Sequence, residues 1–233
     1  MALEINRIRA LCYDIDGTLR DTDDQLVADL APWLAKVWFL HRHHDPEVLA
    51  RRIVMRLDSP ANAVLGLLDR YGLDHGIAKI DRWLFQHGWK RNPLAYRLVP
   101  GSERSLAALK PHYPLAIVSA RGDHQVQAFL KHTGLAQYFT CVVGGQTRPF
   151  SKPHPMPIRW AAAQMGVPPE TCLMIGDTVV DIEAGRAAGA QTLGVLSGFS
   201  DAHELEAAGA DLILASVAVL PTVLGRADDN LGQ

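Results

Sequence analysis

At 233 residues, 48% of them hydrophobic and 21% charged, the chain is long enough for one large domain, or one domain carrying a smaller insertion, around a sizeable core. A formal net charge of −2 lacks the basic excess that nucleic acid or an anionic membrane surface attracts, so neither is expected as a partner. No apolar run approaches the roughly 18 residues of a membrane-spanning helix, and Glu4, Arg7 and Arg9 interrupt the first ten residues where a signal peptide would carry its apolar stretch, so a soluble, cytoplasmic protein is expected.

The first element is the apolar run IRALCYDI (8–15), which closes on Asp14 and Asp16 and turns at once through Gly17 and Thr18. Its short, continuous hydrophobicity predicts a strand buried on both faces. From 20 to 98 nothing reads as a strand. Four stretches with helical apolar spacing fill that interval, at 24–40, 45–58, 60–72 and 76–89, far more chain than one crossover needs. The spacing predicts an inserted α-helical cap over 20–98, with the core made of 1–19 and 99–233. Trp33, Trp38, Phe39, Trp83, Phe85 and Trp89 sit in these helical stretches and are expected in the core of the cap. His41, Arg42, His43 and His44 lack the spacing of a metal-binding helix and are expected in a solvated loop.

Beyond 98, helices and strands alternate. A helix at 102–112 leads to a strand at 114–120, and a helix at 123–134 stops at Gly134. A strand at 139–145 is followed by the loop SKPHPMP, a helix at 155–166 and a strand at 172–177. A helix at 181–189 and strands at 192–198 and 210–216 complete the pattern. This alternation predicts an α/β fold with a doubly wound, Rossmann-like parallel sheet. Cys12, Cys141 and Cys172 fall inside the apolar runs without a C-x-x-C pair, and are expected as small buried hydrophobes in a reducing compartment.

Open α/β sheets bind ligands beyond the carboxyl ends of their strands. Collecting the polar residues there brings together Asp14, Asp16 and Thr18 from the first strand, Ser119 from the second and Asp177 from the fourth. Asp181 follows four residues later, and Lys152 lies in the loop after the third strand. Singly, each has a bland reading: a turn residue, a helix cap, a satisfied hydroxyl, a solvated lysine. Together, three or four convergent carboxylates would repel one another unless a cation sat among them, and an all-oxygen set favours a hard cation such as Mg²⁺. A lysine and a hydroxyl beside such a site suit a phosphoryl group. The signatures of dinucleotide and P-loop sites are missing.

With these residues in this order, the sequence resembles the haloacid dehalogenase-like (HAD) hydrolase superfamily. DIDGT resembles its first motif, Ser119 in AIVSA the second, Lys152 in SKPHP the third and GDTVVD the fourth. The stretches VVGGQTRPFSKPHPMP and MIGDTVVDIEAGRAAGA are similar to the phosphoglycolate phosphatase-like branch, whose helical cap is inserted after the first motif. The resemblance implies a phosphatase in which Asp14 attacks phosphorus and Asp16 moves the proton. It implies Mg²⁺ held by Asp14, the backbone carbonyl of Asp16 and Asp177, with Asp181 binding the ion or orienting its water. Ser119, Lys152 and Thr18 would grip the phosphate. Dehalogenating members lack an aspartate at the position of Asp16, so phosphate chemistry is implied. Ala120 departs from the asparagine often found there, and Arg121 is the candidate substrate contact in its place. The expected substrate is a small phosphorylated metabolite. A phosphomutase, or a regulatory protein without turnover, is the alternative, and the oligomeric state is open.

Overall fold

The structure, a computed structural model, describes residues 3–21, 96–145, 147 and 150–226. The chain divides into two compact units, 1–21 with 96–233, and 22–95. The second unit holds the stretch where the cap helices, their aromatic residues and the His41–His44 segment are expected, and it lies outside the described residues.

In the first unit the apolar runs become six parallel strands. These are β1 (Ala10–Tyr13), β2 (Leu115–Val118), β3 (Cys141–Val143), β4 (Cys172–Gly176), β5 (Gln191–Val195) and β6 (Leu212–Leu214). They form one sheet in the order β3-β2-β1-β4-β5-β6. Helices α1 (Ser102–Leu109), α2 (Asp123–Thr133), α3 (Met156–Met165), α4 (Val179–Ala188) and α5 (Ala202–Ala208) occupy the connections, and the short α6 (Leu220–Val223) follows β6. A doubly wound α/β architecture is therefore observed, as the alternation predicts.

Side chains alternate along a strand, and the two faces of the sheet are built differently. On one face Leu11 and Tyr13 join Leu115, Ile117, Leu173 and Ile175, packed with Leu106 and Leu109 of α1 and Phe129 of α2. Each fully buried leucine there contributes about 1.5–3 kcal/mol. The opposite face carries smaller groups, Ala10, Cys12, Ala116 and Met174, under Ala161 and Ala162 of α3 and Ala184 of α4. Those small residues allow α4 to lie close to the sheet: a β-carbon on Gly185 would stand 3.0 Å from that of Met174. Cys12 and Cys172 are buried and Cys141 partly so, all three as free thiols.

The strands are shorter than the apolar runs that mark them. The run at 8–15 yields a strand at Ala10–Tyr13, and the run at 139–145 yields Cys141–Val143. The residues beyond each strand still read as apolar or small, but they turn into the loops that carry the polar groups. Two helices, α5 and the short α6, have no counterpart among the expected elements. α5 is opened by a capping box in which Asp201 Oδ1 accepts from Glu204 N at 2.9 Å and Asp201 N donates to Glu204 Oε2 at 3.1 Å.

The strand order places the site. β1 and β4 are central neighbours, with Tyr13 opposite Ile175. From β1 the sheet grows to β2 and β3, and from β4 it grows the other way to β5 and β6. The connections leaving β1 and β4 therefore diverge, and a crevice opens between their carboxyl ends. Among the described residues no helix is long and apolar enough to cross a membrane.

Candidate active site

β1 and β4 deliver their next residues to that crevice. Asp14 follows β1 directly, its backbone N–H donating to the Ile175 carbonyl at 2.9 Å, and Asp177 follows β4. The chain after Asp14 then doubles back: Leu19 N and Arg20 N both donate to the Ile15 carbonyl, at 2.9 and 2.8 Å. Gly17 makes this turn at φ 68°, where a side chain would be strained, and a β-carbon on it would collide with the Asp177 carboxylate. Gly198, in the loop after β5, is closed to a side chain by the same carboxylate. Two glycines thus wrap Asp177 in backbone.

Asp14, Asp177 and Asp181 are all buried, and one carboxylate oxygen from each lies within 4.8 Å of the others. Lys152 reaches into this group from the loop after β3. Its Nζ donates to Asp14 Oδ1 at 2.7 Å and to Asp181 Oδ1 at 2.5 Å. Asp181 stands in the first turn of α4, where its Oδ2 accepts from Thr178 N at 3.1 Å and Thr178 Oγ1 at 2.6 Å. The helix cap expected as its bland reading is present, and the same side chain also holds the lysine. Asp177 accepts from Phe199 N at 2.8 Å and from Thr18 Oγ1 at 3.4 Å.

Burial governs the electrostatics. It pushes the Asp14 carboxyl from its ordinary 3.8 up to about 7, against the pull of Lys152 and with the repulsion of Asp181 and Asp16 added. Burial, then the neighbouring Asp181 and Asp14, raises Asp177 well above the usual carboxylate range, while the Phe199 N–H opposes this. The Lys152 ammonium loses hydration on burial, but Asp14 and Asp181 outweigh that loss and hold it above its ordinary value. Three buried acids thus face one buried base. The donor set is all oxygen and short of positive charge, which fits a hard divalent cation.

Asp16 stands apart from this trio. Arg20 Nη1 donates to its Oδ1 at 3.0 Å, and Arg121 Nε donates to its Oδ2. Its carboxylate is engaged by two guanidiniums, so any part it plays for a cation falls to its backbone carbonyl, the group sequence analysis names. Ser119 is buried at the end of β2, where its oxygen accepts from Arg121 N at 3.2 Å, leaving its own proton to donate elsewhere. Thr18, fully buried, turns its hydroxyl to Asp177.

The structure therefore gathers Asp14, Lys152, Asp177 and Asp181 at one point and ties Asp16, Ser119 and Arg121 together beside them. Three further contributors carry no distinctive signal in the sequence. Arg20 looks like an ordinary surface charge in the sequence. Thr178 gives the signal of a capping residue and nothing more. The Gly198–Phe199 pair lies past β5, a strand whose end carries no titratable group to draw attention.

A family model for haloacid dehalogenase-like hydrolases matches residues 11–195. The phosphoglycolate phosphatase of Chromobacterium violaceum is 28% identical over 94% of this chain and 97% of its own length. The pyrophosphatase PpaX of Oceanobacillus iheyensis is 27% identical, again over 94% of this chain and 97% of its own. Among solved structures, a HAD family hydrolase from Deinococcus radiodurans, with bound phosphate and sodium, superposes with a TM-score of 0.62 at 25% identity. That match covers 94% of this chain and 96% of the other.

Proposed function

The chain belongs to the haloacid dehalogenase-like hydrolase family, and we propose that within it the protein is a cation-dependent phosphatase that hydrolyses a small phosphorylated metabolite through an aspartyl-phosphate on Asp14. One observation carries the reading. The Asp14 carboxylate is held by a buried lysine beside two further buried carboxylates at the topological switch point, with a proton-carrying candidate two residues away. Names of relatives such as phosphoglycolate phosphatase and pyrophosphatase support small phosphate compounds as the substrate class.

The residues assign themselves to steps by position. Lys152 and the Ser119 hydroxyl receive the nonbridging oxygens of the phosphoryl group. Lys152 also holds Asp14 so that one carboxylate oxygen faces phosphorus. That oxygen bonds to phosphorus as the bond to the leaving oxygen breaks, and Asp16 gives the leaving oxygen its proton. Asp16 then takes a proton from water as the water attacks phosphorus, and inorganic phosphate leaves with Asp14 restored. Splitting the reaction in this way replaces one hard displacement by two easier ones. Asp14, Asp177 and the Asp16 carbonyl, with Asp181 adjacent, are the groups that would hold a divalent cation, Mg²⁺ by the hardness of the donors. When bound, the cation offsets the repulsion between an anionic nucleophile and an anionic phosphate.

The test is a phosphate-release screen over sugar phosphates, phosphoglycolate, nucleotides and pyrophosphate, with and without Mg²⁺. Wild type is expected to release phosphate only with the cation, and Asp14→Asn to release none while remaining folded. Turnover by Asp14→Asn, or full activity in excess chelator, refutes the proposal.

A further inference from the structure

Asp16 has to present one oxygen to the substrate twice, first to give a proton and then to take one. A carboxylate on a solvent-accessible turn can rotate about two bonds, and Asp16 is about a fifth exposed. Both of its oxygens are nevertheless engaged. Arg20 takes Oδ1 from within the same turn, with its own backbone fixed by Arg20 N donating to the Ile15 carbonyl at 2.8 Å and Gly17 N donating to the Arg20 carbonyl at 2.9 Å. Arg121 takes Oδ2 from beyond the neighbouring strand, out of the loop between β2 and α2.

Arg121 is itself braced on several sides. Its backbone N–H donates to Ser119 Oγ at 3.2 Å, and its carbonyl accepts from Gly145 N at 2.7 Å. Its Nη1 donates to Gln125 Oε1, in the first turn of α2, at 3.4 Å. The loop that carries it is held close to the loop after β3, since a β-carbon on Gly145 would collide with the Ala120 carbonyl. Two guanidinium nitrogens are thus engaged inside the protein, which leaves Arg121 poorly placed as a simple phosphate ligand. We propose that Arg121 is a positioning residue: it fixes the Asp16 carboxylate in the orientation from which Asp16 exchanges its proton with the leaving oxygen. This rests on the phosphatase reading above, because it requires Asp16 to serve as the proton carrier.

Positioning of a general acid leaves a signature that substrate binding does not. A leaving group that is stable as an anion departs without a proton, whereas a poor one cannot. Losing the acid's orientation should therefore cost little on p-nitrophenyl phosphate, more on phenyl phosphate and most on ethyl phosphate. Geometric misplacement near 1 Å costs on the order of 100-fold in rate. The experiment compares kcat/KM, which stops at departure of the leaving group, for wild type, Arg121→Met and Arg121→Lys on these three substrates with Mg²⁺. Arg121→Met is expected to lose about 100-fold on ethyl phosphate and under about threefold on p-nitrophenyl phosphate. Arg121→Lys, which can still reach one oxygen, should recover part of the loss on the poor leaving groups. Thermal melting matching wild type certifies the fold of each variant. An equal loss on all three substrates, carried by KM, would overturn the inference and make Arg121 a substrate contact. Unchanged values on all three would overturn it as well. A wild type that turns over none of them, and none of the compounds of the phosphate-release screen, overturns the phosphatase reading itself, and this inference with it.

Discussion

Replacing Asp14 by asparagine should stabilise the metal-free protein, and should do so only above a certain pH. Asp14 is 7% exposed, and burial moves its carboxyl from 3.8 to about 7. A carboxyl that is harder to ionise in the folded chain binds its proton more tightly there than in the unfolded chain. The stability it contributes is therefore complete below pH 3.8 and drains away as pH rises through about 7. Over that whole window the loss is on the order of 4 kcal/mol, at roughly 1.4 kcal/mol for each pH unit. Between about pH 5.5 and pH 8.5, where assays are practical, roughly 2 kcal/mol of it falls. Asparagine has the same shape and no charge, so the variant should already exceed the wild type at the lower pH, and its advantage should widen by that further amount at the higher. For a chain of this size that gap corresponds to a Tm difference of about 4–8 °C. The assay is thermal unfolding of both proteins in excess EDTA across this range, read as the difference between them. Added Mg²⁺ should shrink the gap by restoring the wild type. A difference that does not change with pH, or that grows toward acid, would refute the assignment of Asp14 as a buried charge whose burial Lys152 only partly offsets.

Lys152→Met should be worse for the fold than Asp14→Asn, because it strips the one buried ammonium from Asp14 and Asp181; a loss of about 3–5 kcal/mol is expected, measured by urea unfolding in EDTA at neutral pH. A smaller loss at low pH, where Asp14 is neutral, would agree with this origin. Gly198→Ala pushes a methyl group into the Asp177 carboxylate, so the Mg²⁺ concentration giving half-maximal activity should rise roughly 10–100-fold; an unchanged midpoint would contradict the placement of Asp177 in the cation site.

Much of this arrangement was readable from the chain because the relevant signals are local. Apolar runs of strand length, separated by helices ending at glycines, specify a parallel sheet, and in such a sheet the carboxyl ends collect the site. Asp14, Asp177 and Lys152 could be found for that reason. Strand ends were overrun, since Ile15 and the glycines after β3 look like strand in a hydrophobicity pattern but serve the turns. Helix α5 carried its D-x-x-E opening in plain view, yet its apolar face is a single buried leucine, Leu205, too little to register as periodicity. The guanidinium clamp on Asp16 was not legible. It joins residues 105 positions apart, and no local rule links an arginine after β2 to an acid after β1. The sharing of Asp181 between a helix cap and Lys152 is hidden for the same cause: each role is a separate, sufficient explanation of the residue.

The short ladder where the insertion leaves and rejoins the core has its own consequence. Val99 N donates to the Leu19 carbonyl and Asp21 N to the Arg97 carbonyl, both at 2.9 Å, with Arg20 and Leu98 bridged antiparallel between them. The two ends of the intervening segment are thus tied together by the core's own backbone. Loop-closure entropy grows only with the logarithm of length, about 0.6 kcal/mol per doubling, so the core is nearly indifferent to how much chain passes through this gate. A lineage could lengthen, trim or exchange the passenger there while the carboxylates and their lysine stayed in register. The two units can then diverge on separate schedules, with the ladder as the seam between them.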